Sequence, residues 1–153
     1  MTEGDAEDRE EQRTRIARAF IEALPQAREL GMRLDEVGEG MAAVSMDYNS
    51  RLVGDPETGV IHGGAVFTLL DTCCGAAVIA TPTVSSGTST LDLRVDYMRP
   101  ATPGQPIRAR AHCYHVTRTV AFVRAVATDI DEARPVALAT GAFTLDPTRG
   151  PNG

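Results

Sequence analysis

The chain contains no lysine: all its basic residues are arginine, a usage that genomic base composition explains. These 15 arginines are outnumbered by 21 acidic residues, giving a net charge of −6. An acidic balance excludes a general nucleic-acid binder, because phosphate affinity needs a basic surface. Cysteine is scarce. Cys73, Cys74 and Cys113 form an odd set without metal-ligand spacing, as expected in a reducing compartment. No stretch approaches the ~20 apolar residues of a membrane span. The start, Thr2-Glu3-Gly4-Asp5-Ala6-Glu7-Asp8, lacks the basic opening and apolar segment of a secretory signal. A soluble, cytoplasmic protein with neither a membrane nor a nucleic-acid partner is expected.

What remains is an ordinary globular composition: 153 residues, 42% apolar and 24% charged, enough for one domain with a real core. Residues 1–12 are acidic and polar and read as a flexible tail, as does 147–153, leaving 13–146 as a single domain. A short helix fits Thr14 to Leu24, with Ile16, Phe20 and Leu24 at spacing four and Pro25 stopping it. Gly31 to Gly38 is a strand candidate. Met41 to Tyr48 is another, with Ala42, Val44, Met46 and Tyr48 alternating against Ala43, Ser45 and Asp47. A loop over 49–61 precedes a second helix that ends before Pro82. Leu91, Leu93, Val95 and Tyr97 then alternate with Asp92, Arg94 and Asp96 as a strand. Three more strands, about Ile107–His115, Val120–Asp129 and Pro135–Leu145, are joined by short turns at Thr117-Arg118 and Asp131-Glu132-Ala133. Short connections predict an antiparallel meander with the long helix covering one face, an α+β domain.

The informative segment is Ile61-His62-Gly63-Gly64 followed by Ala65 to Ala80, apolar except for Asp71. A helix apolar on nearly every face is a buried helix. A carboxylate there is costly, so Asp71 stands where a purely structural sequence would place Leu or Ala. Flanked by Leu69, Leu70, Cys73 and Cys74, Asp71 is expected to titrate above the usual carboxylate range through desolvation. Gly63 and Gly64 would open the helix with N–H groups that have no intrahelical acceptor and that lie at the positive end of its dipole. Without side chains, they admit a carbonyl closely. Thioester hydrolysis needs those two elements: a nucleophile or base, and a donor where charge develops on oxygen.

His62-Gly63-Gly64 with Asp71 eight residues past Gly63 resembles the hotdog-fold acyl-CoA thioesterases of the phenylacetyl-CoA thioesterase (PaaI-like, 4HBT) type. So do Leu91-Asp92-Leu93-Arg94-Val95-Asp96-Tyr97-Met98-Arg99-Pro100 and Ala137-Leu138-Ala139-Thr140-Gly141-Ala142-Phe143; together the resemblance spans roughly residues 28–146. It implies a hotdog fold: a curved antiparallel sheet of five to six strands wrapped around one long central helix, paired into homodimers and often tetramers. It further implies hydrolysis of acyl-CoA with no cofactor beyond the CoA of the substrate. Asp71 would be general base or nucleophile, and the Gly63 N–H would bind the thioester oxygen. The family's Asn or Gln six or seven residues before the His is replaced by Pro56 and Asp55, which leaves the water-orienting group unassigned.

Further candidates follow from the same reading. His62 and Gly64 flank the oxyanion donor, with His62 favoured as a loop holder rather than a reactant. Cys74, with Phe67, Leu70 and Val78, is a candidate for the acyl pocket; Cys73 and Cys74 read as packing residues rather than nucleophiles, since mid-helix offers no dipole end to stabilise a thiolate. Arg94, Arg99 and Arg118 are candidates for the CoA phosphates, through a fixed fork of donors. His112 and His115 read as structural. One geometric consequence concerns assembly. At 1.5 Å rise per residue, Asp71 lies about 12 Å along the helix from Gly63, too far to share one carbonyl. If both act on one thioester they come from different chains, in a dimer with two identical sites. Acyl-CoA hydration is excluded by the lack of an Asp-x4-His pair; a non-catalytic acyl-CoA sensor or assembly subunit remains the alternative.

Overall fold

The computed structural model describes residues 3–84 and 87–145. Helix α1 runs Glu3–Ala23, so the acidic segment expected as a tail is helical from Glu3. Its core-facing stripe is also shifted from the expected one: Ala17 and Ile21 are buried and Phe20 and Leu24 pack against the core, whereas Ile16 is 47% exposed. Pro25 does end this helix, but its fixed φ then starts a short one, α2 (Pro25–Glu29), from the first helical position.

The sheet has six strands: β1 (Met32–Gly38), β2 (Met41–Met46), β5 (Thr88–Tyr97), β6 (Ile107–Val116), β7 (Val120–Thr128) and β8 (Ala137–Leu145). The segment expected as a plain loop folds into a 3-10 turn (Ser50–Leu52) and a small hairpin of β3 (Val53–Asp55) and β4 (Val60–Ile61). A tight turn joins β1 to β2, with Gly40 at φ +64, where a side chain would be strained.

All pairings in the main sheet are antiparallel, in the order β1-β2-β6-β7-β8-β5. Only β6-β7-β8 is a meander. The chain leaves β5 at one edge and crosses to β6 in the middle of the sheet, so the fully sequential meander is corrected. The 98–106 segment that makes the crossing is fastened across the sheet end by a buried ion pair. Arg99 donates to both carboxylate oxygens of Asp129 at 2.7 Å, and Thr102 adds its N–H at 3.0 Å and its hydroxyl at 2.9 Å.

Helix α3 (Gly63–Ile79) lies against the inner face of the sheet. That face is lined by small residues: Ala109, Ala111, Ala121, Ala127, Ala137 and Ala139. On the helix side, Cys73, Gly75, Ala76 and Ala77 are equally small. Small residues on both surfaces let a helix and a curved sheet approach closely without voids. Larger anchors fill the ends: Leu69, Leu70 and Val78 are fully buried, each contributing roughly 1.5–3 kcal/mol of burial. Among the described residues no helix is long and apolar enough to cross a membrane. The expected tail at 147–153 lies outside the described residues.

Candidate active site at the open stripe of the central helix

The break before α3 is built by His62. Its backbone is extended, and its Nδ1 accepts the Gly64 N–H at 2.8 Å, while its carbonyl accepts the Ala65 N–H at 3.0 Å. The imidazole is therefore occupied as a helix cap, in the tautomer that leaves Nδ1 free to accept. A Cβ on Gly64 would lie 2.9 Å from Nδ1, so the cap requires glycine there. The capping bond also removes Gly64 as a donor for a ligand. The Gly63 N–H is left with no acceptor among the described residues, at the positive end of the helix. The Gly63 carbonyl accepts the Tyr97 hydroxyl at 2.7 Å, tying β5 to the start of α3, and burial pushes the Tyr97 phenol up.

Two turns along α3, Asp71 is half-buried rather than buried. Its sequence neighbours Leu69, Leu70, Cys73 and Cys74 all point into the core, while Asp71 shares the open stripe with Gly64, Phe67 and Thr68. Helical geometry turns adjacent residues such as Leu70 away from Asp71 and into the core. Instead Asp71 Oδ1 accepts the Thr90 hydroxyl at 2.7 Å. Thr90 reaches it because the β5–β8 register shifts between Thr90 and Asp92, and Leu91, beside it, is 56% exposed. Strict alternation cannot reveal such a bulge; only the apolar–polar phase slip at Ser89-Thr90-Leu91 hints at it.

The remaining candidates separate. Cys74 is wholly buried in the core, and burial pushes its thiol well above the ordinary range. Cys73 lies beside it, hydrogen-bonded to the Ala42 and Ala109 carbonyls and pushed up to about 12 by burial. Leu70 and Val78 are likewise core, while Phe67 is 38% exposed beside Asp71. Arg99, the second arginine candidate, is engaged within the protomer. Besides Asp129 it donates to the Arg134 and Pro100 carbonyls, which commits its fork entirely to the fold. Arg94 is exposed on β5 and pairs with Asp96 at 3.1 Å. Arg118, at the β6–β7 turn, is exposed and has no partner among the described residues. His112 and His115 are exposed strand residues, His115 packing on Phe122. No cluster of His, Cys, Asp and Glu suited to a metal occurs among the described residues.

Residues 58–136 match the Thioesterase superfamily, and the chain belongs to that family. It is 30% identical over 112 residues to human acyl-coenzyme A thioesterase 13, spanning 71% of this chain and 79% of the relative. It is 27% identical over 143 residues to the medium/long-chain acyl-CoA thioesterase YigI of Escherichia coli K12, spanning 85% and 91%. The Escherichia coli PaaI protein of the phenylacetic acid degradation operon superposes with a TM-score of 0.81, covering 92% of this chain and 97% of PaaI. At 21% identity, that likeness concerns the fold, which is the hotdog arrangement of one long helix against an antiparallel sheet.

Proposed function

We propose that the protein hydrolyses acyl-CoA thioesters at a site shared between two subunits. The observation that carries this is the open stripe of α3. It holds a hydrogen-bonded carboxylate and a helix-opening N–H without an acceptor, about 12 Å apart and so unable to meet on one carbonyl within a protomer. The family and the acyl-CoA relatives supply the reaction class.

In a two-fold dimer, Asp71 of one subunit faces the partner's Gly63. Thr90 occupies one carboxylate oxygen and leaves the other for a water, so it fills the orienting role that Pro56 and Asp55 cannot. Asp71 takes a proton from that water as its oxygen attacks the thioester carbon. The charge that develops on the carbonyl oxygen is met by the partner's Gly63 N–H. The C–S bond then breaks, and the CoA thiolate takes the proton back from Asp71, leaving the free acid. Of the three arginine candidates, Arg118 is the one whose guanidinium has no partner among the described residues, which supports it as the ligand of a CoA phosphate.

The test is thiol release from a panel of acyl-CoAs. Native protein should turn over at least one member. Asp71→Ala and Asp71→Asn should each lose ~10²-fold or more, as for a lost general base. Thr90→Val should lose roughly tenfold, one hydrogen bond's worth, in kcat rather than KM, and Thr90→Ser should retain activity. Acyl-CoA binding with no turnover of any member would favour the sensor instead.

A further inference from the structure

The open stripe of α3 ends one turn past Asp71. Gly64, Phe67, Thr68 and Asp71 are exposed or half-buried, whereas Gly75, four residues on and on the same face, is buried. Gly75 has no side chain to fill its place, and Phe20 of α1 fills it instead. A Cβ on Gly75 would lie 3.1 Å from Phe20 Cζ and 3.8 Å from Phe143 Cε1. Phe143 is the cross-strand partner of Thr90, the residue that donates to Asp71, so Gly75 and the carboxylate share one wall. A glycine in mid-helix is destabilising relative to alanine, and here it makes room for an aromatic ring. Phe20 itself is half-buried: part of its surface stays open.

Resting on the thioesterase reading above, we propose that Phe20 is the chain-length stop of the acyl pocket, so that the substrates are CoA thioesters of short acyl groups. The shared site sets the direction in which the acyl chain runs. A two-fold that brings Asp71 to the partner's Gly63 overlaps the two α3 helices over residues 63–71 only, and past Asp71 the helix has no partner helix beside it. CoA, large and charged, leaves toward solvent, while the acyl chain continues from the carbonyl along the stripe and meets Phe20 at Gly75. Asp71 and Gly75 are about 6 Å apart along the helix, room for roughly four carbons beyond the carbonyl. A longer chain has to displace the ring. α1 opposes that displacement, because Ala17 and Ile21 are buried beside Phe20 and Leu24 packs on the core one turn further on. The ring therefore limits length without touching the reacting atoms.

Thiol release from butanoyl-, hexanoyl-, decanoyl- and dodecanoyl-CoA by the full chain reads the stop as a ratio of kcat/KM values. Native protein should favour the two shorter thioesters. Phe20→Ala should raise the decanoyl-to-butanoyl ratio at least ~10-fold, since even one methylene admitted to an apolar pocket is worth about that much. Phe20→Leu should fall between the two. Leu24→Ala loosens α1 against the core at another point, and should lower the melting temperature without moving the ratio. A ratio unchanged in Phe20→Ala, or moved equally by Leu24→Ala, overturns the stop, as does a native protein that favours dodecanoyl-CoA. Should Phe20→Ala misfold, Phe20→Leu decides alone: a ratio no higher than native overturns the stop. Turnover of none of the thioesters overturns the thioesterase reading instead. The stop is then read from calorimetric affinities for the same series, where an unshifted decanoyl-to-butanoyl ratio in Phe20→Ala overturns it, and absence of all binding overturns both.

Discussion

At the scale of single residues, the same type can serve the fold or the chemistry, and only its partners decide which. Arg99 and Arg118 read alike in sequence, yet Arg99 spends its whole guanidinium on Asp129 and two carbonyls. Asp129 has no exposed side-chain surface, and the Arg99 guanidinium beside it holds its carboxyl far below the usual carboxylate range. A carboxyl depressed by folding contributes stability that is present above its unfolded pKa and is lost as pH falls below it. Asp129 should therefore cost the native protein nothing until pH drops below about 4. Arg99→Leu strands a buried charge and should cost about 3 kcal/mol at pH 7. That deficit should shrink as pH is lowered through the carboxylate range, because protonation then neutralises the orphan. Denaturant unfolding of both proteins from pH 7 to pH 4 checks the convergence; a deficit that stays constant would show the pair to be an exposed surface contact. KM for acyl-CoA, in whatever folded Arg99→Leu protein remains, should be unchanged.

At the scale of elements, the site depends on β5 keeping its register with β8. Gly141 on β8 is where that register is tightest: an added Cβ would lie 2.5 Å from the Asp92 carbonyl oxygen and 2.9 Å from Leu93 Cδ1. Gly141→Ala must push β5 away, at a cost of roughly 1–3 kcal/mol. Because β5 carries both Thr90 and Tyr97, activity should fall along with the melting temperature although no site residue has changed. Gly38→Ala, whose Cβ would meet only Met41 at an ordinary 3.7 Å, is the control. This dependence also explains what could be read from sequence. The strands, the central helix and the His62-Gly63-Gly64 opening were legible because alternation, an apolar run and glycines at a helix start are local signals. The β5 crossover, the shifted face of α1, and Thr90 were not legible. Each depends on what a segment packs against. Residues 1–12 read as a tail because they are acidic and polar, and nothing local shows that the helix carrying Ala17 and Ile21 continues back to Glu3. Asp71 illustrates the limit best: the hydroxyl it accepts from comes from Thr90 on β5, a contact between elements that no local signal carries.

At the scale of the whole molecule, one subunit cannot bring Asp71 to Gly63, so activity should belong to the dimer and be transferable between damaged chains. Gly63 is the first residue of α3, preceded by an extended His62, a setting in which proline is well tolerated. Gly63→Pro thus deletes the N–H with little disturbance of the helix and leaves Asp71 intact; Asp71→Ala does the reverse. Each variant alone should be inactive, since every site it forms lacks one group. In a mixed dimer one site combines the Asp71 of the proline variant with the Gly63 of the alanine variant and is whole, while the other lacks both. Random mixing makes half the dimers mixed, each with one working site of two, so co-refolding equal amounts should restore about a quarter of native activity. A site contained within one chain would give no recovery at any ratio, because every chain in the mixture is defective. Recovery that rises with total protein concentration and peaks at equal amounts is the signature of sites completed across the two-fold.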